Sequence, residues 1–166
     1  MEVSLAGRTA VITGGSKGIG LAVAKQFAAS GADVAIVARG RDALDEATQS
    51  ISKSARGRVV AVQGDVALVT DIQRTYDAAM TAFGKIDIVV NNAGTSATST
   101  FEKLTDEFLQ HDFDQKLFAA VRLARLVWPQ MKERRWGRII NVLNIGAKRR
   151  GRTACRPRCR APPAWR

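Results

Sequence analysis

The chain has 166 residues, enough for one domain with a buried core, and 46% of them are hydrophobic, which fits a globular protein in water. No apolar run approaches the roughly 20 residues that span a bilayer, and no basic segment leads into an apolar core at the N-terminus, so a membrane is not an expected partner and a cytoplasmic location is expected. The formal charge of +11 suggests nucleic acid only until it is divided along the chain: eight of the 26 basic residues and none of the 15 acidic ones lie at 148–166, so the rest carries only +3.

A first strand is expected at Thr9 to Thr13, where Val11 and Ile12 form a short buried run. It stops at Gly14-Gly15-Ser16-Lys17-Gly18-Ile19-Gly20, after which Ile19, Val23 and Phe27 recur at helical spacing, so a helix is expected from Lys17 to Ser30, ended by Gly31. Glycines between a strand and a helix let the backbone turn tightly and approach a ligand. The free N–H groups and positive dipole end of the helix then favour an anion, a pyrophosphate above all. The spacing is Gly-x-x-x-Gly-x-Gly, not the common dinucleotide fingerprint Gly-x-Gly-x-x-Gly. A tight turn with no ligand is the lesser reading of the glycines on their own.

The second strand is expected at Asp33 to Ala38, followed by Arg39, and a helix from about Asp42 with a weak apolar face of Leu44 and Ala47. A third strand, Val59 to Gln63, leads into Gly64-Asp65-Val66, and a helix from about Val69 to Ala82 carries Ile72, Tyr76 and Ala79 on one face. The fourth strand, Ile86 to Asn91, is nearly continuous in apolar residues, as a strand covered on both sides should be, and meets the loop Asn91-Asn92-Ala93-Gly94. The segment from Thr95 to Thr100 reads as a loop and Thr105-Asp106-Glu107 as a helix start. A long helix is expected from about Phe113 to Arg134, with Leu117, Val121, Ala124 and Trp128 on its apolar face and Pro129 kinking or ending it locally. A fifth strand covers Arg138 to Leu143. Strands alternating with helices predict an α/β fold, a three-layer α/β/α doubly wound parallel sheet of Rossmann-like type.

After Gly146 the periodicity stops. Residues 148–166 hold both cysteines, Cys155 and Cys159, and three of the four prolines, with no periodic apolar face, so the tail is expected to be disordered and residues 1–147 to form the domain. Arg-rich, Pro-rich segments can bind nucleic acid through phosphates, but that is the lesser reading here. Cys155 and Cys159 lack the second pair of ligands a structural zinc needs, so no metal is expected.

The stretch Thr13-Gly14-Gly15-Ser16-Lys17-Gly18-Ile19-Gly20 resembles the cofactor loop of the short-chain dehydrogenase/reductase family, and Gly64-Asp65-Val66 and Asn91-Asn92-Ala93-Gly94 resemble two further motifs of that family in the same order. The resemblance implies a nicotinamide dinucleotide cofactor. Gly14, Ser16, Ile19 and Gly20 would surround the pyrophosphate, with Lys17 and Gly18 in the same cofactor-binding loop, Asp65 and Val66 the adenine, and Asn91, Ala93 and Gly94 the adenine ribose and the nicotinamide side. Asp65 by itself reads as readily as a turn residue after a strand. A carboxylate after the second strand would favour NAD; here Ala38 is followed by Arg39, and with Lys17 in the glycine loop this favours the 2′-phosphate of NADP over NAD.

The implied activity is hydride transfer between the nicotinamide and a small-molecule carbonyl or alcohol. The family uses a Tyr as acid/base, a Lys four residues later that lowers its pKa, a Ser that binds the substrate oxygen and an Asn on the long helix. A tyrosine near its free pKa of about 10 is a poor base at neutral pH, so the cation is needed. The only tyrosine here is Tyr76, far from that place. The helix Asn falls on Lys116 and the Ser on Asn144, so the two residues that could still act are Lys116, as a charge, and Asn144, as a hydrogen-bond donor. His111 reads as a surface residue.

A complete member of the family is roughly 250 residues, so the resemblance covers a sheet truncated after the fifth strand, and the family's homo-oligomer is not expected because its C-terminal elements are missing. Reading the tail codons one frame over lets Pro157 to Arg166 encode Ala-Val-Ser-Arg-Ala-Ala-Gly-Met-Ala, which resembles the family's segment after its Tyr; a shifted frame is the reading that explains the tail. The leading expectation is a truncated dehydrogenase without turnover. The alternatives are an atypical active enzyme using Lys116 and Asn144, and a non-enzymatic binding module whose basic tail meets nucleic acid.

Overall fold

Five apolar runs become the strands of one sheet. β1 (Thr9–Thr13), β2 (Asp33–Ala38), β3 (Val59–Gln63), β4 (Ile88–Asn91) and β5 (Arg138–Asn141) lie in the order β3-β2-β1-β4-β5, and every neighbouring pair is parallel. The chain winds outward from β1 to β3, then restarts on the other side of β1. The reversal falls at β1 and β4, and at the carboxyl ends of the strands flanking such a point an open α/β sheet receives its ligand. The computed structural model describes residues 4–95 and 104–143; Asn144 and residues 96–103 and 148–166 lie outside them.

Alternation along the central strands sorts the core into two halves, because successive side chains of a strand point to opposite faces. Ala10, Ile12, Val34, Ile36, Ile88 and Val90 pack under α1 (Gly18–Ala29) and α2 (Arg41–Ser52), through Ala24, Ala28, Leu44, Ala47 and Ile51. Val11, Ala35, Val37 and Val89 pack under α3 (Val69–Phe83) and α5 (Ala119–Glu133), through Ile72, Ala79, Leu123, Val127 and Met131. The three-layer expectation is met. α4 (Asp106–Phe113) begins at Thr105, whose hydroxyl accepts the Phe108 N–H at 3.2 Å, and runs into α5 through a π-helical turn at Asp114–Phe118.

The helix start expected at Thr105-Asp106-Glu107 is met, and α4 runs through the π-helical turn into α5 with no separate start near Phe113; α5 contains Pro129 and reaches Glu133, one residue short of the expected end. The expected apolar face of the long helix needs correction. Its buried face is Ala119, Leu123, Val127 and Met131, while Leu117, Val121 and Trp128 are exposed by 51, 41 and 61%. Both rows are apolar at helical spacing, Val121 two residues before Leu123 and Trp128 one after Val127, roughly 200° and 100° around the helix, so periodicity alone could not choose between them. β4 also starts two residues late, at Ile88, because Ile86 and Asp87 enter the sheet without pairing to β1 as strand residues, though the Asp87 N–H still donates to the Thr9 carbonyl. No helix among the described residues is long and apolar enough to cross a membrane.

Candidate functional site

The glycine loop lies at the carboxyl end of β1. Gly14 and Gly18 adopt φ of +67° and +57°, a region that L side chains avoid, so the turn demands glycine at both. The Gly14 and Gly15 N–H groups both donate to the Val37 carbonyl, at 2.8 and 3.2 Å, which ties the loop to the end of β2. Gly20 is buried in the first turn of α1; a Cβ there would stand 2.2 Å from the Gly14 carbonyl oxygen and 2.5 Å from Asn92 Nδ2. The loop therefore folds down on α1 with no room for a side chain. Around Gly18 there is open space, Lys17 and Ile19 are exposed, and Ser16 is half-buried. α1 has no side-chain cap and no acid in its first turn, so no side chain takes up the donors at its N-terminus, the arrangement that suits an anion.

Asn92 was not singled out by sequence, yet it clamps the loop. Its Nδ2 donates to the Thr13 and Gly14 carbonyls at 3.1 and 3.2 Å, and the Asn92 and Ala93 N–H groups both donate to Thr13 Oγ1 at 3.0 Å. These contacts join residues about eighty positions apart and bring the Asn91–Gly94 stretch against the glycine loop. Asn91 is half-buried and donates from Nδ2 to Asn141 Oδ1 at 2.9 Å, across to β5. Gly94 is exposed, and a Cβ on it would lie 3.8 Å from Cγ of Lys116, so Lys116 runs beside this loop from the π-helical turn. The Lys116 Nζ pairs with Asp112 Oδ1 at 2.5 Å. The same turn buries Gln115, whose Oε1 accepts both the N–H and the hydroxyl of Thr95 at 3.2 and 2.9 Å. Asp114, at the start of the turn, is held below the ordinary carboxyl range by hydrogen bonds from Gln110 and Arg122 and by the charge of Arg122.

On the other side of β1, Arg39 is exposed beyond the end of β2, and its Nη1 stands 3.9 Å from Asp65 Oδ2. Asp65 lies in the turn after β3, half-buried. The Val66 side chain belongs to the core, so only its backbone faces the site. A cleft of about 630 Å³ opens here, with Arg39, Gly64, Asp65, Asp71 and Arg74 in its wall. The fold thus gathers the sequence-expected residues of the glycine loop, Arg39, Asp65, Val66, Asn91, Ala93, Gly94 and Lys116 at one end of the sheet. Asn144 lies outside the described residues. Tyr76 is half-buried on α3 against the core.

A match to the short chain dehydrogenase family spans residues 8–155. The chain belongs to the short-chain dehydrogenase family. Among its relatives are ketoacyl reductase HetN of Nostoc sp., 33% identical over 88% of this chain and 50% of its own length, and D-beta-hydroxybutyrate dehydrogenase of Cupriavidus necator, 37% identical over 83% of this chain and 53% of its own. The solved structure of L-sorbose reductase from Gluconobacter frateurii, complexed with NADPH and L-sorbose, is 42% identical and superposes with a TM-score of 0.81, covering 85% of this chain and 54% of that one. The chain spans about half the length of these relatives. As a short-chain dehydrogenase it carries the family's glycine loop between β1 and α1 and its Asn-Asn-Ala-Gly stretch after β4.

Proposed function

We propose that this chain is the dinucleotide-binding part of an NAD(P)-dependent oxidoreductase, and that it binds NADP through the adenosine and phosphate end while transferring no hydride by itself. The observation that carries the reading is the uncapped N-terminus of α1 behind a loop where Gly14, Gly18 and Gly20 leave no side chain in the way. A pyrophosphate fits that cradle: it accepts from outward-facing N–H groups, meets the positive end of the helix, and has Lys17 beside it. Gly14, Ser16, Gly18, Ile19 and Gly20 hold the phosphates. Asp65 accepts from the exocyclic amino group of the adenine, with the Val66 backbone alongside. Arg39 pairs with a ribose 2′-phosphate, which favours NADP over NAD. Asn91, Ala93 and Gly94 face the ribose and the nicotinamide.

The nicotinamide supplies the hydride when the cofactor is bound, and proton transfer falls to the protein. Among the described residues no tyrosine reaches the site, and Lys116 is engaged by Asp112, so no positioned acid or base serves a carbonyl substrate. We assign residues 1–147 to the binding domain and 148–166 to a basic tail outside it. Calorimetry with 2′-phospho-ADP-ribose and with NADPH tests the reading, together with NADPH oxidation over a panel of ketones. The two ligands should bind within about threefold of each other, since only the adenosine and phosphate end is gripped. No ketone should be reduced. A second reading, an atypical active enzyme, draws on the closeness of Lys116 to Gly94; steady turnover lost in Lys116→Ala or Asn144→Ala would establish it. Failure of both ligands to bind would remove the cofactor reading altogether.

A further inference from the structure

The position of Asp65 is set by its neighbours. Its N–H donates to Asp71 Oδ2 at 2.7 Å, its Oδ1 accepts the Ala67 N–H at 3.0 Å, and its carbonyl accepts the Leu68 N–H at 2.9 Å. Asp65 lines the cleft, and its other carboxylate oxygen, Oδ2, has Arg39 3.9 Å away. The Asp71 side chain, in the first turn of α3, is only 14% exposed and pairs with Arg74 Nη2 at 3.0 Å. The same Nη2 donates to the Gln63 carbonyl at 2.7 Å, and Gln63 Nε2 donates to the Arg39 carbonyl at 3.0 Å. A ring of contacts therefore runs from Arg39 through Gln63, Arg74 and Asp71 to Asp65 and back. It is tightest at Gly64, where a Cβ would sit 3.3 Å from Asp71 Cβ and 3.4 Å from its Oδ2, so a side chain there would push Asp71 away from the Asp65 N–H.

Two physical consequences follow from Asp71 being a charged acceptor backed by a cation. A backbone N–H bonded to a carboxylate is roughly twice as strong as one bonded to a neutral oxygen, so the Asp65 peptide is held in one orientation. Arg74 also cancels the charge of Asp71, which keeps a second negative group beside Asp65 from repelling a nucleotide phosphate.

We propose that Asp71, balanced by Arg74, is a positioning residue for base recognition: it fixes the Asp65 peptide so that Asp65 Oδ2 is presented to the exocyclic amino group of an adenine. This inference rests on the cofactor reading above. The competing view makes Asp71 a first-turn acid that only stabilises α3 through the helix dipole. The two views differ in one readout, the preference for adenine over hypoxanthine, which carries an oxygen in place of that amino group.

The full chain is titrated by calorimetry with 2′-phospho-ADP-ribose and with its hypoxanthine counterpart. The wild-type chain should prefer the adenine form, and Asp71→Ala should reduce that preference about tenfold, the value of one charge-assisted hydrogen bond. Asp71→Asn should retain most of it, because the amide oxygen still accepts the Asp65 N–H. If Asp71→Ala melts earlier but keeps the full preference, the positioning role is wrong and the cofactor reading stands. If the wild-type chain binds neither nucleotide, the cofactor reading fails and the positioning role fails with it. Should Asp71→Ala not fold, Arg74→Met replaces it: a severalfold greater loss for the adenine form supports the role, and equal losses for the two forms overturn it.

Discussion

Arg39 is 58% exposed and reaches Asp65 only at 3.9 Å, too long for a direct hydrogen bond, so its guanidinium is free to turn to a phosphate at little cost. Replacing it with a carboxylate removes the cation and offers an acceptor to a ribose diol; Arg39→Asp should therefore reverse the ratio of NADP to NAD affinities, measured by calorimetry, by about a hundredfold. A second residue-scale expectation concerns Asp33 at the start of β2. Burial alone would raise its carboxyl, but three hydrogen bonds from Arg58, at 2.6, 2.7 and 3.1 Å, and the charges of Arg58 and Lys85 hold it below the ordinary range. A carboxyl lowered on folding stabilises the native state above its unfolded pKa of about 4, and that stabilisation disappears as pH falls through the lower folded value. Arg58 also donates to the Ala82 carbonyl and lies over the Phe83 ring, contacts that do not titrate, so the urea midpoints of the wild-type and Arg58→Ala chains should differ more at pH 6 than below pH 4; a gap that does not narrow between pH 6 and pH 2 would exclude the Asp33 pair as a source. At this scale the sequence was readable where function is local. Gly14, Gly18 and Gly20 announce themselves by their place between a strand and a helix, whereas the clamp of Asn92 on Thr13 and the role of Asp71 beneath Asp65 depend on how distant strands and a following helix come together.

α5 shows why elements were easier to find than to orient. The strands β1, β2 and β3 and the helices α1, α2 and α3 were legible because their apolar runs are bounded by Gly31, Gly64 and Gly84 or by polar turns. The buried row of α5 was not, because Ala119, Leu123, Val127 and Met131 compete with an equally apolar row. The π-helical turn at Asp114–Phe118 adds to the difficulty, since an i→i+5 turn shifts every following residue around the axis relative to an α-helix extrapolated from Phe113. Leu123, fully buried in the core under the sheet, should cost about 2–5 kcal/mol when replaced by Ala. Val121→Ala, on the exposed row, should cost about 0.5 kcal/mol or less. Chemical denaturation of the two variants tests the assignment, and a larger loss at Val121 would return the buried face to the one expected from spacing.

For the whole molecule, the division of charge along the chain argues that the acidic and basic residues of 1–147 belong to one near-neutral body. Limited proteolysis should trim the chain after about Lys148 and leave the rest resistant; a protected tail would overturn the proposed boundary. The overall architecture was legible because five strand signals alternate with helix signals, and right-handed crossovers leave few ways to join them. The strand order has a consequence in time. β1 finds β2 only 24 residues later, as Thr9 meets Asp33, but its other neighbour arrives 78 residues later, as Ala10 meets Ile88. At roughly 5–20 residues per second of synthesis that interval is about 4–16 s, during which the strand whose five residues all end up buried has one side unpaired on the emerging chain. The central strand is made first and enclosed late, so the ribosome-bound chain is most prone to mispairing while the segment between β1 and β4 is still being built.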